Sequence, residues 1–214
     1  MEKGARRAVF TGIITGLAIL GAVHTAAAAH EKRARLHVAA VNHAGVPVDA
    51  WDRAQATASR IYEAAGITLV WIDSAATAGA TTLRSDLTII VSAAPSAPGL
   101  TSSKHVLGFA LQPRNRGRLA YAFYGRIQDF ARDTRADAGS MLGHVMAHEM
   151  GHLLLAREAH ALFGLMRGRW HESQVAMVSA GMLTFTNDEA AAIRTRVAGP
   201  ITPQPVLAIK RLCH

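Results

Sequence analysis

Cysteine is almost missing from this chain. Cys213 is the only one in 214 residues, so no internal disulfide can form, and stability has to come from burial or from a bound ligand. Aromatic residues are scarce at 6%, and none is interleaved with basic side chains as an RNA or DNA motif would require, so no nucleic-acid partner is expected. Acidic residues are outnumbered, 15 against 23 lysines and arginines, which leaves a formal charge of +8. That balance suits an anionic cell-envelope surface or an acidic substrate, although the basic residues are scattered along the chain. Past the first 29 residues there is no internal repeat and no low-complexity segment, which excludes solenoids and propellers.

Long hydrophobic runs are also absent, with one exception at the start. Lys3, Arg6 and Arg7 precede an uncharged run from Ala8 to Val23 that ends in the small-residue string Ala26 to Ala29. The run is short for a membrane span, which needs about 20 apolar residues, and it has the form of an export signal. Residues 1–29 are therefore expected to be a cleaved signal peptide, with His30 as the mature N-terminus and a secreted or periplasmic location. Its removal takes three basic residues and one acidic with it, leaving about +6 of the formal +8. What remains, 30–214, is long enough for one domain with a real core and short for two. A monomer is expected.

Within that domain the hydrophobic period switches between strand and helix. Leu36 to Val41 alternates and stops at Asn42-His43-Ala44-Gly45, which predicts a strand and a turn. From Asp49 to Ala65 the apolar positions Trp51, Ala54, Ala58, Ile61, Tyr62 and Ala65 recur at helical spacing, with Gly66 placed to end the helix. Ile67 to Ile72 and Leu87 to Val91 read as strands; Asp73 to Thr82 and 92–104 read as loops. Val106 to Leu111 and Leu119 to Tyr124 read as a further pair of strands around the basic turn 112–118. The second half turns helical: Ala138 to Leu155 carries no charge except Glu149, and a last helix is predicted from the capping-box sequence at Thr186 to about Val197. The expectation is an α+β domain, a twisted mixed sheet of about five strands packed on the 138–155 helix, with a small helical C-terminal part.

That helix carries the chemistry. His148-Glu149-Met150-Gly151-His152 is an H-E-x-x-H string. Residues four apart share one helix face about 5 to 6 Å apart, so two imidazoles can point at one ion with Zn–N distances of about 2.0 to 2.1 Å. Glu149, turned by about 100°, reaches the flank of such a site, where a carboxylate can take a proton from an activated water without being a ligand. A catalytic zinc needs a third protein ligand. His160 is the first candidate. A continuous helix would carry it about 18 Å from His148, so the helix has to stop near 156–158 and turn back. Glu172, 20 residues after His152, is the rival.

His148-Glu149-Met150-Gly151-His152, followed by His160 and then Gly164-Leu165-Met166, resembles the zincin clan of metallopeptidases, and within it the metzincin branch. It is similar also to uncharacterised bacterial exported proteins with the same order of helix, histidine and Gly-hydrophobic-Met. The resemblance covers 138 to about 170 closely and the upstream part in element order only. It implies a zincin-like fold and hydrolysis of a peptide or protein substrate. It further implies Zn²⁺ held by His148, His152 and His160, with Glu149 as general base, and Met166 in a methionine turn beneath the metal. The chain departs from the metzincin pattern: Leu155 and Glu158 stand where a glycine and the third histidine are expected, so His160 comes two residues late. The thermolysin-like branch would use Glu172 instead, yet Trp170-His171-Glu172-Ser173 lacks the asparagine expected before that glutamate.

Other side chains have plainer readings. His144, one turn before His148, is too far from an ion centred between His148 and His152 and is expected to be hydrogen-bonded and structural. Arg167 and Trp170 either line a substrate pocket or cover the core. Tyr121 and Tyr124 are placed on a strand beside the cleft, where an extended peptide could add by β-pairing, with core packing expected for at least one of them. A competing class is a zinc-stabilised, non-catalytic binding module of the cell envelope. An amidase or other non-peptide hydrolase would use the same residues.

Overall fold

The structure is a computed structural model, and it describes residues 34–73, 85–95, 105–111, 118–155 and 160–199. The expected signal peptide, 1–29, and Cys213 lie outside these residues, as do the loop 74–84 and most of the turn 112–118.

Strand β1 (Ala34–Asn42) buries Leu36, Val38 and Ala40 on one face, as its alternation predicts. Asn42 closes it: its side-chain oxygen accepts from the Val46 N–H at 2.9 Å and its amide donates to the Val46 carbonyl at 3.0 Å. Helix α1 (Val48–Ala64) follows and ends two residues before Gly66, whose φ of 81° is open to glycine at low cost. The chain returns as β2 (Ile67–Asp73), parallel to β1 with Leu36 opposite Leu69. Parallel neighbours need a crossover of a dozen or more residues, and α1 supplies it.

Three more strands complete the sheet: β3 (Leu87–Ser92), β4 (Gly108–Leu111) and β5 (Arg118–Phe123). The order is β2-β1-β3-β5-β4, with β4 alone antiparallel and at the edge. This is the five-stranded mixed sheet of the expected α+β class. The last strand is shifted one residue toward the N-terminus from its predicted bounds. Tyr124 belongs to a helix absent from the sequence reading, α2 (Tyr124–Thr134), closed by Arg135 at φ 55°. Its buried positions, Tyr124, Ile127 and Ala131, have helical spacing, with Arg126, Asp129, Arg132 and Asp133 away from that face, an amphipathic pattern the sequence reading did not use.

Helix α3 (Ala138–Leu155) starts at Asp137, whose carboxylate accepts from the Ser140 N–H at 2.7 Å, and 15 of its residues are buried. Helices α4 (Glu172–Ser179) and α5 (Asn187–Ala198) follow. The capping box predicted at Thr186 forms: its hydroxyl accepts from the Glu189 N–H at 3.3 Å while the Glu189 carboxylate accepts from the Thr186 N–H at 2.8 Å.

α1 and α3 lie side by side against the sheet, α1 touching β2 and α3 touching β3, β4 and β5. Small residues allow the close approach. A Cβ on Gly143 would stand 2.5 Å from the Ala54 carbonyl oxygen and 2.6 Å from Thr57 Cβ. Farther along, the Tyr62 hydroxyl donates to the Ala147 carbonyl at 3.3 Å. Met141, Leu142, Met146, Met150 and Leu153 of α3 are all fully buried. Each such side chain contributes about 1.5 to 3 kcal/mol of transfer free energy, enough to fix the helix as the axis of the core. Among the described residues no helix is long and apolar enough to cross a membrane.

Candidate metal centre

His148 and His152 leave α3 one turn apart and both are buried; His160 reaches them from the segment after the helix and is half-buried. One nitrogen from each ring lies within 4.8 Å of the others, and no other such trio of His, Cys, Asp or Glu occurs among the described residues. The ring centroids are 4.7 Å apart for His148–His152, 5.5 Å for His148–His160 and 5.2 Å for His152–His160. Glu172, the rival third ligand, is the exposed first residue of α4 and has no place in the trio. Helix α3 is described as far as Leu155; the stop expected near 156–158 falls on residues 156–159, which lie outside the described residues.

The chemistry of the donors fits a metal ion. The Nδ1–H of His148 donates to the Leu165 carbonyl at 2.8 Å, which fixes the ring and leaves Nε2 with a lone pair. That Nε2 stands 3.0 Å from Nε2 of His152. A tetrahedral ion with nitrogens at about 2.0 to 2.1 Å would hold them about 3.4 Å apart, so a slight opening of the pair accommodates it. Nε2 of His160 is buried without a hydrogen-bond partner. Burial and the neighbouring His152 hold the His148 imidazole well below its ordinary pKa, and burial lowers that of His160 as well. Both rings are therefore neutral near pH 7, the form that binds a metal.

Glycines make the room. A Cβ on Gly168 would lie 2.5 Å from Nδ1 and 2.7 Å from Cγ of His160, so this backbone is the bed of the third ring. A Cβ on Gly151 would lie 2.7 Å from the sulfur of Met166. Met166 is buried in a turn closed by Gly164 at φ 75°, and the turn is tied down by Ala161 N–H to the Met166 carbonyl at 2.9 Å and Leu165 N–H to the Thr184 carbonyl at 2.8 Å. Met166 is thus packed against Gly151, the glycine between the two histidines.

Glu149 packs against the edge strand. A Cβ on Gly108 of β4 would meet its Cγ and Oε1 at 2.8 Å, so only glycine leaves space for the carboxyl group. Its Oε2 is buried without a partner, and burial pushes its pKa well above the usual carboxylate range. His148 and Glu149 open on a cleft of about 850 Å³, walled by α2 on one side and by Gly168, Arg169 and Trp170 on the other.

The remaining expectations divide. His144 is structural, as read: its Nδ1–H donates to the Ser140 carbonyl at 2.8 Å, and it takes no part in the trio. Trp170 lines the cleft, whereas Arg167 does not and Arg169 does. Neither tyrosine lines it. The pleat that turns Ala120 and Ala122 inward turns Tyr121 to the outer face, stacked on Phe109 at 4.7 Å, and Tyr124 is buried at the start of α2. Missed by sequence reading were the roles of Gly108 and Gly168 and the α2 wall. No spacing rule marks a glycine that makes room for a side chain distant in sequence.

No protein-family model matches this chain, and no curated protein matches it.

Proposed function

We propose that this protein is a zinc-dependent hydrolase of the metallopeptidase type with a zincin-like, metzincin-like domain, exported after removal of residues 1–29 and cleaving peptide bonds. The observation that carries the reading is the convergence of three imidazoles, with His148 and the buried carboxyl group of Glu149 together at the wall of one cleft. His148, His152 and His160 would hold the ion, with Zn²⁺ favoured by an all-imidazole donor set. When bound, zinc supplies a Lewis acid for the scissile carbonyl and lowers the pKa of water to about 7.

The protein's own groups do the rest. Leu165 fixes the tautomer of His148, and Gly168 gives His160 its seat. Burial raises the proton affinity of this carboxyl group, so Oε2 of Glu149 accepts the proton of the attacking water and returns it to the leaving amine. β4 is an edge strand, and an extended peptide can pair beside it by strand addition.

A closed structural site has four protein ligands, whereas three side chains gather here among the described residues and one of them, His148, borders a cleft beside Glu149, which favours catalysis over a zinc-stabilised binding module. Glu149→Gln decides between them. The variant is expected to bind one equivalent of zinc as wild type does and to lose peptide hydrolysis by at least about 100-fold. Equal turnover in wild type and variant refutes the mechanism.

A further inference from the structure

Two buried polar atoms near the cleft are without a partner once the metal centre and Glu149 are accounted for: Nε1 of Trp170, which lines the cleft, and Nε2 of His144 behind it. Their chemistry is complementary. An indole Nε1–H can only donate. His144 donates from Nδ1 to the Ser140 carbonyl, so a neutral ring has its lone pair on Nε2 and can only accept there. Burial lowers the pKa of this ring, which keeps it neutral. The two rings stand edge to face at 6.4 Å and 87°, and Trp170 stands in the same way to His148 at 5.9 Å and 84°. No hydrogen bond of 3.5 Å or less joins the two nitrogens. One water molecule, accepting from the indole and donating to the imidazole, would satisfy both atoms, and a buried donor or acceptor left unpaired is costly.

We propose that His144 and Trp170 form a donor–acceptor pair closed by one bridging water, and that this pair positions the indole wall of the cleft against His148. His144 is then a positioning residue for the cleft. It is no metal ligand. The consequence for substrate rests on the peptidase reading: a loosened wall weakens substrate binding and leaves the proton transfer at Glu149 intact.

The pair can be tested apart from hydrolysis, on the full chain, by following the indole N–H resonances of the three tryptophans and assigning that of Trp170 by its loss in Trp170→Phe. In wild type this proton should show a cross-peak to a long-lived water and slow exchange with solvent. His144→Leu removes the acceptor, shifts the resonance and speeds exchange at least about tenfold. His144→Gln, which carries an oxygen near the position of Nε2, should restore slow exchange, and His144→Asn, one carbon shorter, should not. With a peptide substrate, His144→Leu should raise KM several-fold and leave kcat within about twofold of wild type. No water cross-peak in wild type, or identical indole exchange in the Gln and Asn variants, overturns the proposal. If the indole signatures appear and no peptide is cleaved by wild type, the pair stands and the peptidase reading fails.

Discussion

Gly168→Ala tests the third ligand without touching it. Gly168 does not occupy the left-handed region, so alanine adds a methyl group and no backbone strain. That methyl would lie 2.5 Å from Nδ1 of His160, where non-bonded heavy atoms normally stand about 3.5 to 4.0 Å apart. The ring therefore has to retreat by about 1 Å. Metal–ligand distances tolerate only about 0.2 Å, so a displacement of this size removes His160 from a tetrahedral set while leaving His148 and His152 in place. Zinc affinity should fall at least about 10- to 100-fold, or about 1.4 to 2.7 kcal/mol, the range seen when the support of a ligand is disturbed. Competition against a chromophoric chelator measures it. In Gly168→Ala combined with His160→Ala, affinity should fall no further than in His160→Ala alone, because both act through one ring. Wild-type zinc affinity in Gly168→Ala, or additive losses in the double variant, would refute the placement of His160.

Three further outcomes are expected. Gly143→Ala places a methyl 2.5 Å from the Ala54 carbonyl at the α1–α3 seam and should destabilise the fold by about 1 to 3 kcal/mol in urea titration; a neutral result would mean that the seam is looser than described. Thr186→Ala removes the cap of α5 and should cost about 0.5 to 2 kcal/mol with zinc affinity unchanged. In chelator-treated protein, His148 is held below its ordinary 6.5, so the unfolded chain binds more protons and stability is lost as pH falls below about 6.5. Glu149 is held above its ordinary 4.5, so its contribution is complete below that value and is lost as pH rises towards the raised one. Glu149→Gln should remove the second effect alone, making the metal-free variant more stable than wild type near pH 8. The reverse order there would count against a buried, proton-holding Glu149.

The legible parts of this fold were those whose signal is local. Alternation in 36–41, the helical spacing from Trp51 to Ala65 and the capping box at Thr186 each concern neighbours in sequence, and each element appears within a residue or two of its predicted bounds. His148 and His152 were readable for the same reason, since one helical turn joins them. His160 was readable only as a requirement for a third donor, because its position depends on a reversal of the chain. α2 was missed although its apolar and charged residues recur at helical spacing, because its first residue, Tyr124, was read as the end of the preceding strand. The strand there was extended through Tyr124 because an aromatic residue after Ala-Phe suits a strand as well as a helix start. Gly108 and Gly168 act across the fold, and no local pattern sets them apart from the other glycines.

The enclosure of α3 on all sides bears on how such a chain could diversify. With 15 of its 18 residues buried, almost any exchange in that helix disturbs packing, a neighbour's carbonyl or a ligand, so drift there is blocked whatever the substrate. The outer positions of α2 are free of that constraint: Asp129, Arg132 and Asp133 are exposed, border the cleft and can change for about 0.5 kcal/mol or less. New preferences among descendants of this protein should therefore accumulate on the α2 bank of the cleft, while the helix that holds the histidines stays as it is.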